Sequence, residues 1–185
     1  MNIYLIRHGE TTGDVEDRYG GDYDDHLSEK GIQQSERLAQ KLKGKGIQLI
    51  YTSTRMRATE TAEIVQKGLG LDIKSVHDLR ERNNYGILTG MTKSEAKKNY
   101  PKAVAELAIG IHHHVKDSES YEQFKMRIIT AFERITSTKY NCIAIITHGG
   151  PISCIAREIL KEEITCCDCT ILEMIKTGST FKLIK

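Results

Sequence analysis

Short apolar runs separated by helical patterns constrain the fold of this chain more than any other feature. Residues 2–7, 47–52, 72–76, 142–147, 169–175 and 180–184 read as strands. Ser28 caps a helical pattern that closes at Gly44 or Gly46, and "RMRATETAEIVQKGLG" forms a second that closes at Gly68 or Gly70. In "SYEQFKMRIITAFERI", residues Tyr121, Phe124, Ile128, Ala131, Phe132 and Ile135 share one helical face. "PISCIAREILK" is a fourth pattern, with Pro151 suited to a first turn. Strands alternating with helices predict an α/β domain built on a mostly parallel sheet. Residues 92–117 break the rhythm with short helical pieces, the pair Tyr100-Pro101 and "IHHHVKDS". We read that stretch as a small insertion or lid within a single domain spanning 1–185.

Composition removes several classes of function. Hydrophobic residues make up 39% of the 185, enough for a core. The net charge is +2 and the basic residues are dispersed, which argues against a nucleic-acid surface. No apolar run approaches the roughly 18 residues of a membrane span. Met1 leads directly into an apolar strand without a basic leader, so a cytoplasmic protein is expected. The five cysteines are an odd number, three of them crowded at Cys166, Cys167 and Cys169, a poor basis for a disulfide framework.

Two strands end in His-Gly. "YLIRHGE" places Arg7 and His8 at the tip of the first, and "AIITHGGP" places His148 and Gly149 at the tip of another. In parallel α/β sheets, ligands bind beyond the carboxyl ends of the strands. The glycines let the backbone approach a ligand, and the helix after His148 offers free N–H groups to an anion. An isolated histidine at a strand end is usually structural. Here, however, "TSTRMRATETA" adds Arg55 and Arg57 after a third strand, and "DLRERNNYGILTG" adds Glu81 and Arg82 after a fourth. Two histidines, several arginines and a carboxyl in one crevice suit a phosphate group.

These segments resemble the histidine phosphatase superfamily, the phosphoglycerate-mutase-like proteins. The resemblance runs in order through "RHGET", "YGGDYDDHLSEKG", "TSTRMRATETA", "LRERNNYGILTG", "ESYEQFKMR" and "THGG", nearly the whole chain. It implies a three-layer α/β/α sandwich with a small helical insertion over the site. It also implies catalytic roles for His8, Glu81, Arg7, Arg57 and His148. His8 would take the phosphoryl group, Arg7, Arg57 and His148 would hold it, and Glu81 would protonate the leaving group. Such chemistry requires no metal and no cofactor, because fixed arginines stabilise the charge of the transferring group. Substrate contacts are expected from Asp14, Gly20, Gly21, Arg82, Tyr85 and Gly149 as well. The expected partner is a small phosphorylated metabolite, bound by a monomer or homodimer.

Asp14 departs from the family pattern, standing where many relatives carry Asn. An ionised Asp beside phosphate is repulsive, so either Asp14 turns toward Arg18 or another cation, or the substrate supplies a donor. The loop "ERNNYGILTG" is also spaced less tightly than in many relatives, and Asp78 is the rival to Glu81 as the acid. Other features carry less weight. Adjacent residues such as His112, His113 and His114 do not converge on one metal ion. "CCDC" reads as structural or incidental and not as a metal or redox motif, with Cys169 entering the strand "CTILEMI". "DYDDH" lacks the ligand order of an EF-hand, and its Gly20-Gly21 reads instead as a source of backbone N–H groups. Ser53 and Thr54 lack a nucleophile-elbow motif. Hydrolysis of a small phosphomonoester is the leading expectation. Its alternatives are a phosphoglycerate mutase, a protein phosphohistidine phosphatase and a non-catalytic binding or scaffold module.

Overall fold

The register of two parallel strands brings the two His-Gly pairs to one place. The computed structural model describes residues 1–110 and 115–184. The strands are β1 (Asn2–Arg7), β2 (Leu49–Thr52), β3 (Ile73–Ser75), β4 (Cys142–Thr147), β5 (Ile171–Thr177) and β6 (Thr180–Leu183). They form one sheet in the order β3-β2-β4-β1-β5-β6. β1, β2, β3 and β4 run parallel, β5 runs antiparallel to β1, and β6 antiparallel to β5. Ile6 pairs with Ile146 and Arg7 with Thr147, so the next residues, His8 and His148, emerge side by side.

The helices are α1 (Thr12–Val15), α2 (Glu29–Leu42), α3 (Met56–Leu69), α4 (Lys93–Asn99), α5 (Pro101–Glu106), α6 (Tyr121–Thr136) and α7 (Gly149–Ile155). Side chains alternate across the central strands, as the period of a strand requires. Tyr4, Ile6, Ile50, Ala144 and Ile146 face α2 and α3 through Leu38, Leu42, Ala58, Ala62 and Val65. Ile3, Leu5, Ile143 and Ile145 face α6 and α7 through Phe124, Ile128, Phe132 and Ile152. Apolar faces on both sides of the sheet yield the three layers expected from the sequence.

The helix ends follow local chemistry. Ser28 Oγ accepts from Gly31 N at 3.1 Å and starts α2. Ser120 and Gln123 form a reciprocal capping box at the start of α6. α3 closes on Gly70 in the left-handed conformation, φ 68°. α7 continues as a π-helical turn over Ala156–Leu160, where the sequence suggested one uninterrupted helix. Within the 92–117 stretch, α4 and α5 bury Ala96 and Ala103 against Leu88 and Val115, a cluster separate from both faces of the sheet. His112, His113 and His114 lie outside the described residues.

One short helix lies beyond the expectations, and one local expectation is corrected. The short helix α1 was not legible in the sequence; Thr11 and Asp14 cap it reciprocally. Cys169 does not enter β5. It sits in a turn at φ 52°, and its N–H donates to the His8 carbonyl at 3.1 Å, so the strand begins at Ile171.

Candidate active site

His8 and His148 are both buried, with ring centroids 5.1 Å apart and planes at 65°. Each ring has one nitrogen fixed by a neighbour. His8 Nδ1 lies 2.7 Å from the carbonyl oxygen of Gly9, to which it donates. That assigns the proton to Nδ1 and leaves Nε2 with its lone pair. Arg57 Nε donates to His8 Nε2 at 3.1 Å and to His148 Nδ1 at 3.2 Å. His148 therefore carries its proton on Nε2, which lies 2.8 Å from Ser53 Oγ. Burial first, and then the Arg57 guanidinium, hold both imidazoles well below their ordinary pKa of 6.5.

Arg57 comes from the first turn of α3 and is buried in the site. Its Nη1 donates to Asp25 Oδ1 at 2.8 Å and to the Tyr23 carbonyl at 2.5 Å, and its Nη2 to the Gly21 carbonyl at 2.8 Å. Asp25 is itself buried and supplies the opposite charge that a buried guanidinium requires. Arg7 enters from the other side. Its guanidinium donates to the Cys166 carbonyl at 2.8 Å and pairs with Asp168 at 3.2 Å. The "CCDC" segment thus supports Arg7 through its backbone and Asp168, and all five cysteines are free thiols.

Glu81 reaches the pocket from the loop after β3. Its Oε2 accepts from Gly150 N at 2.9 Å and its Oε1 from Arg82 N at 2.7 Å. A Cβ at position 150 would collide with Glu81 Oε1, so glycine there lets the carboxylate sit against the start of α7. Gly9 is similarly constrained: its Cβ would lie 2.6 Å from the Gly31 carbonyl at the start of α2. In both His-Gly segments a glycine therefore allows close approach of neighbouring groups, with no left-handed backbone involved.

The pocket, of about 400 Å³, is lined by Arg7, His8, Asp14, Gly20, Gly21, Arg57, Glu81, Arg82, Tyr85 and Gly149. His148 stands behind Arg57, fully buried. Of the candidates, Arg55 turns away from the site, donating from Nε to Asp22 at 2.9 Å. Asp14 does not turn toward Arg18, which pairs with Glu16. Instead its Oδ2 accepts from Thr11 N and Thr11 Oγ1, both at 3.0 Å, so one carboxylate oxygen at the rim has no such bond. The Glu81 rival, Asp78, lies near Arg134 at 3.6 Å and does not line the pocket. Among the described residues, no group of three His, Cys, Asp or Glu side chains gathers to hold a metal ion. Nor is any helix among them long and apolar enough to cross a membrane.

Several members of the site escaped the sequence reading. Asp25 lay inside the quoted "DYDDH", but nothing local shows that it pairs with an arginine 32 residues away. Tyr121, Ser153, Cys154 and Arg157 also line the pocket. Tyr121 packs on the core face of its helix, as its spacing predicts, and its hydroxyl in addition accepts from Arg157 at 3.1 Å and donates to Glu158 at 3.1 Å.

Comparison with known proteins agrees with this architecture. A solved structure from Bacillus stearothermophilus, YhfR, superposes with a TM-score of 0.88 over 98% of this chain and 94% of its own, at 29% identity. The α-ribazole phosphatase of Shigella flexneri shares the fold, with a TM-score of 0.87, 23% identity, and coverage of 100% and 95%. Phosphoglycerate mutase-like protein 4 of Arabidopsis thaliana is 36% identical over 157 residues, 81% of this chain and 67% of its own length. The description "Histidine phosphatase superfamily (branch 1)" matches residues 3–178, and the chain belongs to that family.

Proposed function

We propose that the protein is a metal-independent phosphatase that hydrolyses a small phosphomonoester through a phosphohistidine on His8. The observation that carries this reading is the His8–Gly9 hydrogen bond. With Nδ1 donating to a backbone carbonyl, the lone pair on Nε2 is the ring's free nucleophile at neutral pH. In the resting site the Arg57 Nε–H leans on that lone pair. A phosphoryl oxygen is the stronger, charge-assisted acceptor, and drawing the N–H to itself exposes Nε2 for attack.

The reaction then has two halves. Nε2 attacks phosphorus as the ester P–O bond breaks, and Glu81 delivers a proton to the departing alkoxide. Arg7 and Arg57 stabilise the charge on the equatorial oxygens. In the second half, water attacks the phosphohistidine, Glu81 receives the proton of that water, and the P–N bond breaks to release inorganic phosphate. A pocket of about 400 Å³ suits a metabolite-sized ester.

The test is phosphate release from p-nitrophenyl phosphate and a panel of metabolite monoesters, in EDTA, by wild type and His8→Ala. Turnover that resists EDTA and falls by about a thousandfold or more in His8→Ala supports the reading. Turnover that survives in His8→Ala overturns it. The name of the Arabidopsis relative raises a second reading, a mutase. Transfer of phosphate to phosphoglycerate in place of release to water selects that reading.

A further inference from the structure

The four carbonyls from Asp78 to Glu81, in the loop that carries the acid, are each held by a side chain. The Leu79 oxygen accepts from Thr147 Oγ1 at 2.7 Å, at the end of β4. The neighbouring oxygens of Asp78, Arg80 and Glu81 all accept from Arg127, at 2.7, 2.8 and 3.0 Å. Arg127 projects from α6 and is itself aligned by Glu119, with Nε–Oε1 at 2.7 Å and Nη2–Oε2 at 2.8 Å. Its five N–H donors are thereby all engaged, two by one carboxylate and three by the loop. Its guanidinium also lies 5.0 Å from the Phe124 ring centroid. Just beyond, Glu119 N donates to the Asn83 carbonyl at 2.7 Å, and Arg82 Nε donates to the Glu119 carbonyl at 3.0 Å.

We propose that Arg127 is the positioning residue for Glu81, a clamp that fixes the acid's backbone so that its carboxyl meets the leaving oxygen. Arg127 is absent from the residues that line the pocket, so it acts through Glu81 and not on the substrate. The loop has no strand partner at 78–81 to hold it. A planar, five-donor side chain can grip a curved run of carbonyls that a lysine, with a single ammonium, cannot match. Catalytic groups tolerate displacements well below 1 Å, so loosening this clamp reaches the chemistry without touching it.

The inference rests on the reading of Glu81 as proton donor, and two measurements separate the ideas. The first is amide hydrogen exchange in Arg127→Gln and Glu119→Gln. Faster exchange confined to residues 78–83 is expected, and unchanged exchange there overturns the clamp whatever Glu81 does. The second compares an alkyl phosphate with 2,4-dinitrophenyl phosphate, whose leaving oxygen needs no proton. Arg127→Gln is expected to lose about tenfold or more in kcat/KM, which reports the phosphorylation half alone, on the alkyl ester and little on the aryl ester. Arg127→Lys is expected to recover only part of that loss. In Glu81→Gln, adding Arg127→Gln is expected to cost little more. Equal losses on both esters, or full additivity with Glu81→Gln, overturn the positioning role. If Glu81→Gln alone fails to distinguish the two esters, the proton-donor reading falls, and the exchange data still decide the clamp. Should Arg127→Gln fail to fold, Glu119→Gln, which leaves the arginine in place, carries both measurements.

Discussion

Arg57 Nε–H lies between two imidazole nitrogens, 3.1 Å from His8 Nε2 and 3.2 Å from His148 Nδ1. One donor thus holds both rings in complementary tautomers, with protons on His8 Nδ1 and His148 Nε2. The arrangement follows from the parallel register of β1 and β4 and from the placement of Arg57 in the first turn of α3. It also keeps two buried histidines neutral beside a cation.

That neutrality sets a pH dependence of stability. Both folded pKa values lie well below 6.5, near which the unfolded imidazoles titrate. Below pH 6.5 the unfolded chain binds protons that the folded chain refuses, so stability falls as pH falls. The loss ends once pH passes the folded pKa values. Each histidine contributes a slope of at most about 1.4 kcal/mol per pH unit in that window. Denaturation midpoints at pH 7.5, 6.5 and 5.5 read this directly. His8→Asn is expected to flatten the slope; identical slopes in wild type and variant would rule out a buried, neutral His8.

Gly150→Ala tests the approach of Glu81 to α7. A Cβ at 150 would collide with Glu81 Oε1, and the carboxylate must swing away to avoid it. The expected result is a folded protein, destabilised by about 1–3 kcal/mol, whose kcat on alkyl esters falls as far as that of Glu81→Gln. Steady-state kinetics beside a thermal melt check this. Wild-type kcat in Gly150→Ala would show that the carboxylate position does not matter.

Asp14→Asn tests the acidic rim. Asn retains an oxygen that can accept from Thr11, so α1 stays capped, while the charge near the phosphate is removed. Inorganic phosphate is expected to inhibit about fivefold more tightly, equivalent to about 1 kcal/mol of relieved repulsion. An unchanged inhibition constant would show that Asp14 lies outside the reach of bound phosphate.

The sequence exposed those parts of the fold that depend on local chemistry. β1 and β4 read as strands because runs buried on both faces are continuously apolar, and α2, α3 and α6 read as helices from their caps and period. The His-Gly tips then placed His8 and His148 at the same end of the sheet. Pairings across long separations in the chain were not visible. Nothing near Arg7 announces Asp168, nothing near Arg57 announces Asp25, and although "ESYEQFKMR" begins on Glu119 and ends on Arg127, nothing in it announces the carbonyls of residues 78–81. Cys169 was misplaced because its apolar neighbours suggested a strand, whereas the His8 carbonyl draws its N–H into a turn.

The most direct test of the mechanism is to trap the covalent intermediate. Wild type, His8→Ala and His148→Ala would be mixed with excess p-nitrophenyl phosphate, quenched in base within milliseconds and digested for mass spectrometry. An acid-labile phosphoryl group of about 80 Da on the peptide containing His8, absent from His8→Ala, is the expected result. Turnover by wild type with no such adduct, or an adduct on another residue, would contradict the assignment of His8 as nucleophile.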